Sequence, residues 1–267
     1  MKRVGLAGAG ALVVLVACGA GAGEPAPDEA SRERDRPGPD AQALHGRGVL
    51  LVRHHAPVRA PSERGPGRVP LRVGGEARGQ LYLPARRAHP PGLLLLLHGA
   101  GGRAERIVAR FEPEAERLGV ILVAPESRGR TWDVIDGMTF GPDVAAIDEV
   151  LAAVFAEHEV DRERVAVGGF SDGATYALSL GVANGQLFRA IIAFSPGFTA
   201  ATRLSGRPRV FISHGTSDGV LPIERTSRRI VPRLRGLGLD VRYVEFAGDH
   251  EVPEDIGAAG LALIAPR

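Results

Sequence analysis

Beyond about residue 70 the apolar residues fall into short continuous runs separated by amphipathic stretches, the pattern of strands and helices taken in turn. Five consecutive leucines at 93–97 follow Pro-Pro-Gly. That run is long enough for a buried central strand and too short for a helix. Apolar runs at 120–124, 165–167, 190–194, 210–213 and 241–246 predict further strands, and 71–73 with 80–83 predict an entry hairpin. Helices are expected at 104–118, 142–157, 172–182 and 223–234, with a last one near the C-terminus. In 142–157, Val144, Ile147, Val150, Leu151 and Val154 recur on one face. The alternation predicts an α/β domain over 71–267, a mostly parallel sheet with helices on both faces. There is no internal repeat and no Walker-type or dinucleotide glycine pattern.

The first 70 residues have another texture. Lys2 and Arg3 precede an uncharged run at 4–17 that is too short to span a bilayer, so 1–17 reads as an export signal peptide. The only cysteine, Cys18, follows Leu15-Val16-Ala17. That tetrapeptide resembles the bacterial lipobox, which implies a lipid anchor at Cys18 holding the exported protein to a membrane. Residues 18–70 are rich in Gly, Pro, Ala, Arg and acids, and apart from Val49 to Val52 they offer little to bury. They are expected to form a flexible tether. His54 and His55 lie in it without a carboxylate or cysteine cluster and read as a solvated loop, so no metal site is expected there.

Of the 267 residues, 44% are hydrophobic and 24% charged, an ordinary mix for a globular protein. The net charge is only +2 and arginine is dispersed along the chain instead of forming a basic stripe, which argues against a nucleic-acid partner.

The chemistry concentrates in four places. Gly169-Phe170-Ser171-Asp172-Gly173 is a G-x-S-x-G sequence between a predicted strand and a predicted helix. A sharp strand-to-helix turn with glycines on either side lifts a serine hydroxyl clear of the sheet. A serine needs a base, and the base needs an acid to orient it. Asp218, in His214-Gly215-Thr216-Ser217-Asp218, and His250, in Gly248-Asp249-His250, each follow a predicted strand, in the order Ser, Asp, His. His214 lies four residues before Asp218 and is expected to shape the acid's loop through backbone hydrogen bonds. Finally, His98-Gly99-Ala100-Gly101-Gly102 follows the leucine strand. Its small residues let the backbone approach a substrate, so the Ala100 N–H and the Asp172 N–H are the expected oxyanion donors. A phosphate-binding turn would need the P-loop lysine and hydroxyl, which are absent here.

Together these motifs resemble the α/β-hydrolase superfamily, and within it the phospholipase/carboxylesterase group, over about residue 71 to the C-terminus. The resemblance implies the α/β-hydrolase fold and hydrolysis of a small carboxylic ester through an acyl-serine intermediate, with no metal or cofactor. Thr131-Trp132-Asp133 is similar to the Trp-Asp element of that group, which implies that Trp132 borders the substrate cleft. The chain departs from the group in its exported N-terminus and in Ala100, where its acyl-protein thioesterases carry leucine. Thioesterase or phospholipase activity, and a non-catalytic surface lipoprotein that binds through this fold, are the alternatives.

Overall fold

Leu93, Leu95 and Leu97 pack into one core and Leu94 and Leu96 into another, all five with 0% exposure, because their strand runs through the middle of a sheet covered on both sides. This computed structural model describes residues 38–58, 65–85 and 90–266. The strands are β1 (Gly67–Val73), β2 (Glu76–Leu83), β3 (Gly92–Leu97), β4 (Val120–Pro125), β5 (Val165–Phe170), β6 (Ala190–Phe194), β7 (Arg209–Gly215) and β8 (Val241–Phe246). They form one sheet in the order β1-β2-β4-β3-β5-β6-β7-β8. The expected hairpin β1–β2 is antiparallel, as is β2–β4, and every other pairing is parallel. Leu97 lies opposite Gly169, Phe170 opposite Phe194 and Gly215 opposite Phe246, so the carboxyl ends of β3, β5, β6, β7 and β8 reach one edge together.

The helices are α1 (Pro39–His45), α2 (Ala104–Leu118), α3 (Asp133–Asp136), α4 (Pro142–Glu157), α5 (Asp172–Ala183), α6 (Ser227–Gly236) and α7 (Glu254–Leu261). Ile107, Val108 and Phe111 of α2, with Ile256 and Leu261 of α7, cover Leu94 and Leu96 on one face. Residues of α4, α5 and α6 cover the other, including the Val144, Ile147, Val150, Leu151 and Val154 stripe. Each such aliphatic side chain contributes roughly 1.5–3 kcal/mol on burial. The fold is the α/β-hydrolase fold, a mostly parallel sheet between helical layers. The helix expected at 223–234 is split: a 3-10 turn at Ile223–Arg225 precedes α6, because Thr226 leaves the helical region at φ −121° and ψ −102°.

The tether expected over 18–70 is not free along its whole length. From residue 38 to 58 it lies on the domain: α1 packs on α4, and Leu50 is only 1% exposed. The physical reason is polar as well as apolar. The carboxylate of Asp148 on α4 accepts the Leu51 N–H at 3.0 Å and the Val52 N–H at 2.7 Å, and meets His45 Nε2 at 3.0 Å. Asn184 accepts the Leu50 N–H at 2.9 Å and donates to the Gly48 carbonyl at 2.7 Å. A short apolar run therefore buries itself because distant side chains satisfy its backbone. The expected signal peptide, Cys18 and the rest of the tether up to residue 37 lie outside the described residues, as do 59–64. Among the described residues no helix is long and apolar enough to cross a membrane.

Asp148→Ala removes a charged acceptor from two backbone donors and is expected to destabilise the fold by about 2–4 kcal/mol. Limited proteolysis should then cut between residues 46 and 58 faster than in the wild type. An unchanged cleavage rate there would contradict the anchoring role.

Candidate active site

At the end of β5 the chain turns sharply into α5, and Ser171 at the turn has φ 58° and ψ −121°. A non-glycine residue there stores on the order of 1–3 kcal/mol of backbone strain. The surroundings hold it in place: the Ser171 N–H donates to the Phe194 carbonyl at 2.9 Å, and Thr175 donates to the Ser171 carbonyl from its N–H at 3.0 Å and its hydroxyl at 3.1 Å. A Cβ at Gly169 would stand 2.6 Å from the Leu97 carbonyl oxygen, and one at Gly173 only 2.1 Å from it. Both flanking glycines are thus required by the backbone of β3.

Asp218 follows β7 and His250 follows β8, and the structure brings both to Ser171. His250 Nε2 is 2.8 Å from Ser171 Oγ, and His250 Nδ1 is 2.7 Å from Asp218 Oδ2. A carboxylate can only accept, so Nδ1 carries the proton and the bare Nε2 accepts from the serine hydroxyl. The other carboxylate oxygen, Oδ1, accepts the N–H groups of Val220 at 2.9 Å and Leu221 at 2.7 Å. Burial opposes ionisation of Asp218, but hydrogen bonds from His250 and the Leu221 N–H outweigh it and hold the carboxyl below its ordinary value.

His214 is fully buried against the same carboxylate, with Nε2 2.8 Å from the Leu221 carbonyl and 3.1 Å from Asp218 Oδ2. The carbonyl fixes the proton on Nε2, so Nδ1 accepts from the Ser227 hydroxyl at 2.7 Å. Both nitrogens are engaged in shaping the acid loop. Burial pushes the imidazole below its ordinary value and keeps it neutral, despite the pull of the Leu221 carbonyl and Asp218.

The 98–102 loop abuts the nucleophile: a Cβ on Gly99 would stand 3.3 Å from Ser171 Cβ. Gly101 and Gly102 spend their N–H groups on the carbonyls of Arg130 and Gly99, both at 2.9 Å. The N–H groups of Ala100 and Asp172 have no protein acceptor among the described residues.

Trp132 does not border the cleft. It is 0% exposed, its ring packs on His98 and Tyr176, and its indole N–H donates to the His98 carbonyl at 2.8 Å. A buried indole needs an acceptor, and this one lies under the 98–102 loop. Sequence reasoning missed the groups around it. The His98 ring donates from Nδ1 to the Gly99 carbonyl at 2.8 Å and accepts the Ser127 N–H at 3.2 Å. Thr131 donates to the Asp172 carboxylate at 2.6 Å. Asp133 and Asp143 each accept the other's backbone N–H, at 2.9 and 2.8 Å, and burial raises both carboxyls. Tyr176 donates to Asp133 at 3.0 Å. The only cue was that Thr131-Trp132-Asp133 is a compact motif.

Beside His250 and Ala100 opens a cleft of about 340 Å³. Ile107, Phe111, Phe170 and Val252 give it an apolar floor, and Arg103 and Arg106 stand at its wall.

Comparison with known proteins agrees with this architecture. The phospholipase/carboxylesterase family model matches residues 143–255, a segment that holds Ser171, Asp218 and His250. A probable feruloyl esterase C from Aspergillus flavus is 32% identical over 143 residues, covering 51% of this chain and 52% of that protein. Feruloyl esterase C from Emericella nidulans is 28% identical over 194 residues, 66% of this chain and 69% of that protein. The chain thus spans about half the length of the first relative. A solved phospholipase/carboxylesterase from Dyadobacter fermentans superposes with a TM-score of 0.52 at 22% identity, over 70% of this chain and 96% of that one, a likeness of fold. The chain has the fold of the α/β-hydrolases, and its segment 143–255 is similar to the phospholipase/carboxylesterase family.

His214 and Asp218 together predict how stability depends on pH. The unfolded chain binds a proton at His214 near 6.5, whereas the folded one resists it, so stability falls as pH drops from there toward the lower folded value. The depressed Asp218 contributes stability above its ordinary 3.8 that is lost as pH falls further, through its folded value. His214→Ala is expected to cost about 2 kcal/mol at pH 7.5 and to flatten the upper window while leaving the lower one. Urea melts of both proteins between pH 2 and 8 check this, and parallel curves across the upper window would contradict it.

Proposed function

We propose that the protein is a serine esterase that hydrolyses small carboxylic esters through an acyl-serine intermediate. The reading rests above all on the continuous hydrogen-bonded chain from Ser171 Oγ through the His250 ring to Asp218, at 2.8 and 2.7 Å. Ser171 Oγ attacks the ester carbonyl while His250 Nε2 takes its proton, and Asp218 stabilises the resulting imidazolium. The carbonyl oxygen, now an oxyanion, accepts from the Ala100 and Asp172 N–H groups. His250 then protonates the departing alkoxide, the C–O bond breaks, and acyl-Ser171 remains. Water attacks the acyl carbon with His250 again accepting a proton. Collapse of the second tetrahedral species returns that proton to Ser171 and releases the carboxylic acid. A cleft of about 340 Å³ with an apolar, partly aromatic floor suits a short or aromatic acyl group, in keeping with relatives named feruloyl esterases.

We further propose that the enzyme is exported and held at a membrane through a lipid on Cys18. Support comes from the Lys2-Arg3 start and the Leu15-Val16-Ala17-Cys18 sequence. Cys18→Ser is expected to release it to the soluble fraction or block its processing, and unchanged partitioning and processing would rule out the anchor.

A fluorophosphonate probe is expected to label the wild type and not Ser171→Ala. Ser171→Ala and His250→Ala should each lose on the order of a millionfold in kcat, with the double variant no worse. Butyrate esters should turn over faster than palmitate esters. No labelling of the folded protein would favour a binding module, and a palmitate preference would favour a phospholipase.

A further inference from the structure

Three arginines, Arg103, Arg106 and Arg110, line the cleft beside His250, at i, i+3 and i+7 along α2 and the residue before it. They form a row about 10 Å long. Arg110 donates to the Val252 carbonyl and so fixes the His250 loop to α2. Arg103 and Arg106 have no carboxylate partner among the described residues. Glu251 is the one acid among the lining residues, so the wall carries a surplus of positive charge.

Arg103 gains nothing for the fold by its position. It is the N-cap of α2, a place that favours Ser, Thr, Asp or Asn, and its side chain makes no capping bond. A cation there also faces the positive end of the helix dipole. The capping work is done instead by Glu126, which accepts the Ala104 N–H at 3.0 Å. Arg103 lies three residues beyond Ala100, so the two backbones are at most about 11 Å apart. Both residues line the same cleft, so an anion on Arg103 and an ester carbonyl at Ala100 can belong to one substrate.

We propose that the cleft selects esters that carry a second, anionic group, held by Arg103 and Arg106 while Ile107, Phe111, Phe170 and Val252 hold the carbon frame between that group and the scissile bond. The inference rests on the esterase reading and adds its substrate class. Each guanidinium fork can donate two parallel N–H bonds to a carboxylate, and as both arginines are exposed the pairing is open to screening by salt.

The test uses two isosteric ester pairs. Mono(4-nitrophenyl) glutarate against 4-nitrophenyl 5-methylhexanoate puts the charge on the acyl side. The 4-carboxyphenyl and 4-carbamoylphenyl butyrates put it on the alcohol side. After subtraction of spontaneous hydrolysis, kcat/KM for the anionic member of at least one pair should exceed its neutral partner about tenfold. The ratio should shrink with added salt and approach one in Arg103→Gln/Arg106→Gln, with circular dichroism confirming the fold. A ratio of one or below in both pairs, or a preference that survives in the double variant, overturns the inference while fluorophosphonate labelling and turnover of the neutral esters leave the esterase reading standing. Absence of labelling and of turnover of all four esters overturns both.

Discussion

The site depends on how closely the turn at Ser171 can be pressed against the end of β3. With carbonyl oxygens of β3 and its loop 2.1 and 2.5 Å from where a Cβ of Gly173 would be, no side chain fits. That contact puts the start of α5 beside the 98–102 loop, with Gly99 against Ser171. The strained Ser171 backbone is tolerated because its N–H and carbonyl are both bonded, one to β6 and one to Thr175. The strain is local, and the sheet supplies the rigidity that holds it.

Asp218 and His250 arrive on two loops that are packed into one body. The Thr216 N–H donates to the Phe246 carbonyl and the Ser217 N–H to the Gly248 carbonyl, both at 2.9 Å. Asp249 adds a side-chain hub, accepting the N–H of Gly219 at 2.9 Å and of His250 at 2.8 Å. A Cβ on Gly215 would lie 2.2 Å from the Asp249 carbonyl oxygen, so the two loops can close only around a glycine. Parallel pairing of β7 and β8 brings the loops level, and these bonds then fix the Asp218 to His250 distance.

Much of this was legible because it is local. Strand runs, the stripe on α4, and the order Ser171, Asp218, His250 follow from short windows of sequence and the rule that loops at strand carboxyl ends carry the functional groups. What escaped is non-local. Val49 to Val52 looks like part of a tether until Asp148, about a hundred residues later, supplies the acceptor its backbone needs. Trp132 was expected at the cleft because Thr131-Trp132-Asp133 is similar to the Trp-Asp element of the phospholipase/carboxylesterase group, but the need of a buried indole N–H for an acceptor drew it beneath the 98–102 loop. The reciprocal Asp133 and Asp143 pair has the same character, since each carboxylate has meaning only once the other's backbone is beside it.

Asp218 stands between two histidines, and the division of labour follows from hydrogen-bond bookkeeping at each ring. At His214 the Leu221 carbonyl can only accept, which commits Nε2 as donor and leaves Nδ1 to the Ser227 hydroxyl, so no nitrogen remains for a substrate or a serine. Burial keeps that ring neutral, and it therefore places no competing positive charge beside the carboxylate. At His250 the carboxylate commits Nδ1, and the remaining nitrogen meets Ser171 Oγ. Asp218 is thereby linked to the histidine whose other nitrogen meets Ser171. A single buried carboxylate thus meets a neutral, structural imidazole on one side and the Ser171-facing imidazole on the other, and the difference lies in which partners each ring meets.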